Sequence, residues 1–467
     1  MQQRSLALET TQKVGEKVLL FGWVHARRNM GKVAFLDVRD RSGMVQVVIV
    51  PSELDDASKL LVENIRPEFV LKIRGNVQAR GEKQTNPNMQ TGTVEVLASS
   101  IIILNASETP PFEIDKDTSH VSEDVRLKYR YLDLRSERMA NTIRLRSRFV
   151  QACRTFLFEH DFTEIETPLL SQATPEGSRD FVVPSRLQPG KFFALPQSPQ
   201  QYKQLLMVAG FERYFQLARA LRDEDPRADR GFEHTQIDVE MSFMERDEVM
   251  QMIEDMMIHA VQSLGYTIKQ IPFPRLSYAE SMERYGADKF DLRTEEEKAR
   301  GILAYAWVVD FPFFEKTEQG GWTFTHNPFS MPLPEFRDDL LNGRNIENIL
   351  TSQYDLVCNG YESGGGSIRA HEADILRATY RTMGYSDAET EASVGHMLEA
   401  FSYGAPPHGG IGLGVERNIM NLTGESYLRE VVAFPMTGSG NTSVMHAPGP
   451  LPKSVTDELG IVIKPRA

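Results

Sequence analysis

Arg222, Asp223, Glu224 and Asp225 form an arginine–carboxylate tip between two strand-like runs, Tyr214–Leu221 and Thr235–Phe243. Antiparallel strands flanking such a tip can hold a guanidinium against a phosphate while carboxylates receive an amine or a metal. A solvated hairpin end has the same composition, so the segment alone decides nothing. A second constellation is His408–Leu422, HGGIGLGVERNIMNL. Its glycines 409, 410, 412 and 414 allow a ligand close to the backbone, and Glu416-Arg417 then opens an amphipathic helix. It is neither a Walker A loop nor a Rossmann fingerprint, since Gly-Lys-Ser/Thr and the dinucleotide spacing are missing. The third is Phe158–Leu170, FEHDFTEIETPLL, where a helix gives way to a strand closed by Pro168.

Elements must bring these together. Residues 18–50 read as three antiparallel strands, VLLFGWV, VAFLDVRD and MVQVVIV, with turns at HARRNMGK and RSG. A helix-compatible stretch, Ser52–Asn64, precedes two further strands, FVLKIRGNVQAR and GTVEVLASSIIIL. Five strands with a helical piece after the third is the order of an OB-fold barrel, a binder of oligonucleotides. A Pro-rich, acidic stretch (Thr109–Glu123) reads as a linker, and Asn141–His160 carries Ile143, Leu145, Phe149, Cys153, Phe156 and Leu157 at helical spacing. Strands and helices alternate from there on, which predicts one large α+β domain.

Size and charge agree. A chain of 467 residues is too long for one ordinary core, at about 150 residues per domain. Hydrophobic residues at 41% and charged residues at 25% exclude a disordered or collagen-like chain. The longest apolar run, Ile302–Val309, is far short of the ~20 residues of a membrane span. No secretory h-region and two distant cysteines, Cys153 and Cys358, predict a cytoplasmic protein without a disulfide framework. Net charge is −13, but residues 1–110 carry 14 Lys+Arg against 12 Asp+Glu, a net +2, which leaves −15 on the rest. A mildly basic front end on an acidic body permits a local phosphate-tracking surface and nothing broader.

In order, the helix–strand ending in proline, Arg-x-Glu between strands and Gly-x-Gly-x-Glu-Arg resemble motifs 1, 2 and 3 of class II aminoacyl-tRNA synthetases. With YRYLDLR (129–135), TPEGSRDF (174–181), LPQSPQQYKQLLM (195–207), TQIDVE (235–240) and YESGGGSIR (361–369), nearly the whole chain is similar to bacterial-type aspartyl-tRNA synthetases. The resemblance implies a multidomain α+β protein: an OB-fold anticodon-binding domain over 1–108, a hinge over 109–140, and a class II catalytic domain over 141–467. Motifs 1, 2 and 3 fall near 156–170, 213–243 and 408–422. It implies ATP and Mg²⁺, L-aspartate and tRNA(Asp) as partners, and a homodimer with the Asn141–Leu170 region at its interface. No nucleophilic Ser–His or Cys–His arrangement is needed, because phosphoryl chemistry of this kind asks for positioning and charge neutralisation.

Residue by residue, the resemblance assigns Arg222 to the α-phosphate and the substrate carboxylate, and Glu224 and Arg417 to the nucleotide. Asp223, His234, Gly414, Val415 and Glu416 join the ATP side, and Asp355 and Glu362 the Mg²⁺ ion. Lys203 and Arg369 hold the aspartate side chain, with Glu176, Gln200, Asp238 and His326 around the amino acid. Two fixed cations facing a neutral amide would be costly when desolvated, which favours aspartate over asparagine. On the barrel, Phe35 is the platform for an anticodon base, Gln46 reads the middle base, and Arg28, Arg80 and Glu95 flank them. Alternation along VAFLDV leaves a second reading for Phe35, as barrel core.

The chain departs from the pattern in four places. The large domain usually inserted between motifs 2 and 3 is absent near 286–306. Gly231 replaces a glutamine that touches ATP, His234 replaces a phenylalanine under the adenine, and Asn327 stands where a second histidine follows His326. Two alternatives to a ligase for tRNA(Asp) remain open from sequence: an enzyme that also charges tRNA(Asn), and a catalytically dead tRNA-binding paralogue.

Overall fold

The computed structural model describes residues 3–31, 33–173 and 177–464, which form two compact units, Met1–Arg138 and Met139–Ala467. In the first, β1 (Lys17–Met30), β2 (Val33–Arg39), β3 (Met44–Ile49), β4 (Val70–Ala79) and β5 (Val94–Asn105) close a barrel in the order β1-β2-β3-β5-β4. Alternation decides the faces. Leu36, Val38, Val45, Val47, Ile73 and Val96 point inward and are buried, while Phe35 between Ala34 and Leu36 points outward and lies outside the core cluster. Between β3 and β4 runs a short helix, Asp56–Leu61, whose first turn is capped by Asp55 accepting from the Ser58 amide at 2.7 Å.

The region 109–140 carries helices Glu123–Lys128 and Arg130–Asp133, and the fully buried Arg130 and Asp133 pair at 2.6 Å. Thr118 Oγ1 donates to the same carboxylate at 2.7 Å. YRYLDLR therefore folds a short segment around an internal ion pair, and the first unit extends to Arg138.

The second unit carries β6 (Thr163–Glu164), β7 (Val182–Pro184), β8 (Phe192–Ala194), β9 (Arg213–Leu221), β10 (Glu233–Ser242), β11 (Arg275–Ser277), β12 (Tyr305–Val309), β13 (Phe314–Lys316), β14 (Trp322–Phe324), β15 (Gln353–Cys358), β16 (Tyr361–Ile368) and β17 (His408–Gly414). Eight of them form a sheet in the order β11-β12-β15-β16-β17-β10-β9-β6, antiparallel except at its two outermost pairs. On one face Ile237, Val239 and Met241 of β10 and Ile411 and Leu413 of β17 pack on two long helices, Glu137–Glu159 and Arg246–Ser263. The other face is polar, and it forms the floor of a cavity.

Candidate active site

The period of two along β10 builds this floor. Where Ile237, Val239 and Met241 enter the core, Gln236, Asp238 and Glu240 face away from it, opposite Gly414, Gly412 and Gly410 of β17. A Cβ on Gly410 would strike Val239 O and Glu240 Oε2, so only glycine lets these carboxylates lie flat on the sheet. From above, the helix Gln200–Val208 turns Gln200, Lys203 and Gln204 inward at spacings of three and four. Lys203 Nζ lies 2.7 Å from Asp238 Oδ1 and 3.2 Å from Glu240 Oε2. Arg369 at the end of β16 reaches the same Glu240, Nε to Oε1 at 2.9 Å and Nη2 to Oε2 at 3.2 Å. Its other bonds go to Ser367 Oγ at 2.9 Å and the Gly410 carbonyl at 3.0 Å.

Two cations and two carboxylates are thus buried together, each 3% exposed or less. Such a cluster persists only if nearly every charge is paired. Burial alone would raise the Glu240 carboxyl, but Arg369 and Lys203 hold it below the usual range. Burial wins at Asp238 and pushes it up against the pull of Lys203. Asp238 Oδ2 has no hydrogen-bond partner among the described residues, an acceptor open to a donor such as an ammonium group.

The cavity holds about 450 Å³ and continues to a second, more exposed set of charges. Arg222 follows β9, its amide bound to the Phe232 carbonyl at 2.8 Å. Among the described residues its side chain makes one hydrogen bond, Nε to the Gln197 carbonyl at 3.4 Å. Glu224 Oε2 pairs with Arg230 at 2.6 Å, and Ser178 Oγ donates to its other oxygen. Arg417, at the start of helix Val415–Thr423, contacts Asp229 at 3.2 Å and Glu362 at 3.5 Å. Glu362 also takes Lys289 Nζ at 2.9 Å; burial opposes its charge, yet Arg417 and Lys289 bring its carboxyl down to about 2. Asp355 is pushed the other way by burial and by Glu362. Burial, with Arg222 and Arg417 beside it, lowers His234 to about 3, so its ring is neutral.

His408, the first residue of β17, is fully buried beside the helix Gln200–Val208. Its Nδ1–H donates to the Pro406 carbonyl at 2.7 Å and its Nε2 faces the Gln204 amide at 3.1 Å. Burial pulls its pKa down to about 4. An unfolded histidine takes its proton near 6.5, so acid favours the unfolded chain from there down to about 4. Between pH 7 and 5 this one residue should remove about 2 kcal/mol of stability. Urea unfolding at both pH values, with His408→Asn losing that share of the difference, checks it.

Of the residues assigned from sequence, Gln200, Lys203, Arg222, Glu224, His234, Asp238, His326, Glu362, Arg369, Gly414, Glu416 and Arg417 line this cavity. Asp223 does not, and faces Arg179 across an isolated bridge at 3.5 Å. The Val415 side chain is in the core. Glu416 binds Arg146 at 2.7 Å and the Thr235 amide at 3.0 Å, so it ties three elements together at the cavity wall. Asp355 is buried behind the wall, within reach of His326 and Asp288. Glu176 lies outside the described residues. Gly231 has room for a side chain, a Cβ meeting nothing nearer than 3.8 Å. Asn327 caps its own turn, accepting from the Phe329 amide at 3.0 Å.

Sequence reasoning missed Glu240, Lys289 and Arg230. Glu240 was legible as the second carboxylate on the Asp238 face of one strand. Nothing local marks Lys289 or Arg230, which gain meaning only from partners across the cavity. On the barrel, Arg28 binds Asp37 at 2.6 and 2.9 Å and Gln46 at 3.2 Å, Gln46 binds Glu95 at 3.0 Å, and Glu95 meets Arg80 at 3.4 Å. The five side chains form one polar run, with Asp37 the member not foreseen.

An antiparallel-rich sheet carrying an arginine between strands, a glycine strand opening a helix with an arginine, and a separate OB barrel define a class II synthetase architecture. Residues 122–438 match the tRNA synthetases class II (D, K and N), and residues 18–104 match the OB-fold nucleic acid binding domain. The aspartate–tRNA ligase of Bacillus licheniformis is 38% identical over 98% of this chain and 98% of its own length. The aspartate–tRNA(Asp/Asn) ligase of Bacillus subtilis is 38% identical over 97% of each. The first alignment spans 582 positions against 467 residues here, so at least 115 of them face no residue of this chain. In fold, the asparaginyl-tRNA synthetase of Pyrococcus horikoshii complexed with asparaginyl-adenylate superposes with a TM-score of 0.76, at 23% identity over 94% of this chain and 99% of that one. The chain belongs to the class II tRNA synthetases (D, K and N), and it is an aminoacyl-tRNA ligase.

Proposed function

We propose that the chain activates L-aspartate with ATP and transfers the aspartyl group to tRNA(Asp). The observation that carries this is the buried quartet of Lys203, Arg369, Asp238 and Glu240. Lys203 and Arg369 offer a side-chain carboxylate two fixed cations, and Asp238 Oδ2 offers an ammonium group an unpaired acceptor. An asparagine amide there would meet both cations with no charge of its own. Arg222 would bridge the attacking carboxylate and the α-phosphate, and Arg417 would meet the outer phosphates. The donors suit a hard cation as well. Asp355 Oδ1 and Glu362 Oε1 converge so closely on Gly365 that a Cβ there would come within 2.9 and 3.5 Å of them. Asp355 and Glu362 would hold Mg²⁺, which when bound neutralises phosphate charge.

Relatives of both names support two readings of tRNA choice, one for tRNA(Asp) alone and one that adds tRNA(Asn). The anticodons differ at the third base, and Met30, 70% exposed at the end of β1, belongs to the region that would face it. Leu169 and Leu170, half exposed at the end of motif 1, favour assembly as a homodimer. No helix among the described residues is long and apolar enough to cross a membrane, and the reading places the enzyme in the cytoplasm.

The experiment is aspartate-dependent exchange of pyrophosphate into ATP, then charging of the two tRNAs. Exchange with asparagine instead of aspartate would defeat the reading, and a chain with no exchange would be the inactive paralogue. Phe35→Ala should separate the barrel from the chemistry. One lost stacking platform is worth about 1–3 kcal/mol, so KM for tRNA should rise roughly 5- to 150-fold. Exchange, which needs no tRNA, should stay as it was.

A further inference from the structure

Lys289 is a cavity cation that the function has not used. It sits in Asp288-Lys289-Phe290, in the short connection where the additional domain of related enzymes is missing. Helix Tyr278–Tyr285 stops at Gly286, whose φ of 67° ends it in the left-handed conformation. Phe290 then inserts beside Leu276, Ala306, Val308 and Phe311 and stacks on Tyr285, with centroids 4.4 Å apart. The anchored Phe290 fixes the backbone of Lys289 at the mouth of the cavity, where its side chain is 40% exposed. Its ammonium lies 2.9 Å from Glu362 Oε2, the same oxygen that Arg417 Nη1 meets at 3.5 Å. Arg417 has a nearer partner in Asp229, at 3.2 Å, whereas Lys289 makes its ion pair with Glu362.

We propose that Lys289 binds the β- and γ-phosphates of ATP and the pyrophosphate that leaves. This rests on the reading above, in which aspartate is activated at this site. In that step a carboxylate oxygen bonds to the α-phosphorus, the bond to the bridging oxygen breaks, and the electron pair departs on pyrophosphate. No proton moves, and the leaving group gains negative charge that a mobile ammonium can meet. The geometry allows the transfer. Arg222 and Arg417 are held by their elements, whereas Lys289 has a flexible stem, partial exposure and a partner that a divalent cation would also claim. Once Glu362 and Asp355 are so engaged, Asp288 is the carboxylate left near Lys289, and the outer phosphates offer its ammonium a stronger anion.

Lys289→Met and Lys289→Arg in the full chain test this. Loss of one charge-assisted contact should raise KM for pyrophosphate and for ATP about tenfold in Lys289→Met, with KM for aspartate within about twofold. Lys289→Arg should recover most of the loss, and the unfolding temperature should not move. Calorimetric titration of Mg²⁺-pyrophosphate should show the same tenfold weakening, and it requires neither aspartate nor turnover. A normal pyrophosphate affinity in Lys289→Met would overturn the proposal, as would an aspartate KM rising in step. Absence of exchange in the unsubstituted chain would instead overturn aspartate activation, with the titration still deciding Lys289.

Discussion

Arg369→Met should cost about 3–5 kcal/mol of folding stability and at least ~10³-fold in kcat/KM for aspartate. Both losses come from one geometry. Arg369 is buried, with two nitrogens on the two Glu240 oxygens and further bonds to Ser367 and Gly410. Removing it leaves Glu240 in the same dry place with Lys203 alone, at 3.2 Å. An uncompensated buried charge is far more expensive than the ion pair was worth, so unfolding should shift strongly. The activity loss would have a different origin, the missing cation that we propose for the substrate side chain. The double variant Arg369→Met, Glu240→Gln separates them. With both charges gone, and Lys203 still paired to Asp238 at 2.7 Å, stability should return to within about 1 kcal/mol of the parent. Aspartate activation should stay lost. Denaturant unfolding and exchange kinetics on the three proteins read both quantities. A double variant as unstable as the single one would show that the unpaired carboxylate is not the cause, and an active Arg369→Met would remove Arg369 from the aspartate site.

The same quartet shows what a sequence can and cannot disclose. The barrel was legible because its strands alternate cleanly and short turns join the first three, and the alternation that buries Leu36 and Val38 leaves Phe35 outside. The apolar stripe of Asn141–His160 and the alternation in Thr235–Phe243 gave the core helix and its strand for the same reason. Charged residues carry no such periodic label. Lys203 sits in QQYKQLLM, where a solvated lysine is the ordinary expectation, and only the strand beneath explains why it is 2% exposed. Arg130 and Asp133 lie in the region 109–140 expected as a hinge, where a local ion pair stands in for a run of apolar residues. Glu416 looked like a nucleotide ligand from its motif, yet Arg146, 270 residues away in sequence, claims its carboxylate. Long-range pairing decides such roles, and periodicity is blind to it.

Arg222→Lys should lower kcat for aspartate activation by about 10²–10³-fold, equivalent to roughly 2.7–4 kcal/mol of transition-state stabilisation. Charge is conserved in this substitution, so the loss must come from geometry. The guanidinium is planar and can contact the attacking carboxylate and an α-phosphate oxygen together, whereas an ammonium is a single point. Its support is already in place, with the backbone amide on Phe232 at 2.8 Å and Nε on Gln197 at 3.4 Å. Neither contact occupies the outer nitrogens, so the fork is oriented without being consumed. Burial first, and then the charges of Arg222 and Arg417, hold the His234 ring neutral with a pKa of about 3, so it adds no cation to the positive field of the two arginines. A pre-oriented field of this kind stabilises developing charge without reorganising at the moment of reaction. Because one long hydrogen bond is all that the side chain makes among the described residues, unfolding should stay within about 0.5 kcal/mol of the parent. KM for aspartate should change little, since Lys203 and Arg369 remain. Single-turnover formation of aspartyl-adenylate isolates the chemical step from tRNA binding and product release. A rate near that of the parent would mean that a point charge suffices at this position, and the bridging role of Arg222 would have to be abandoned.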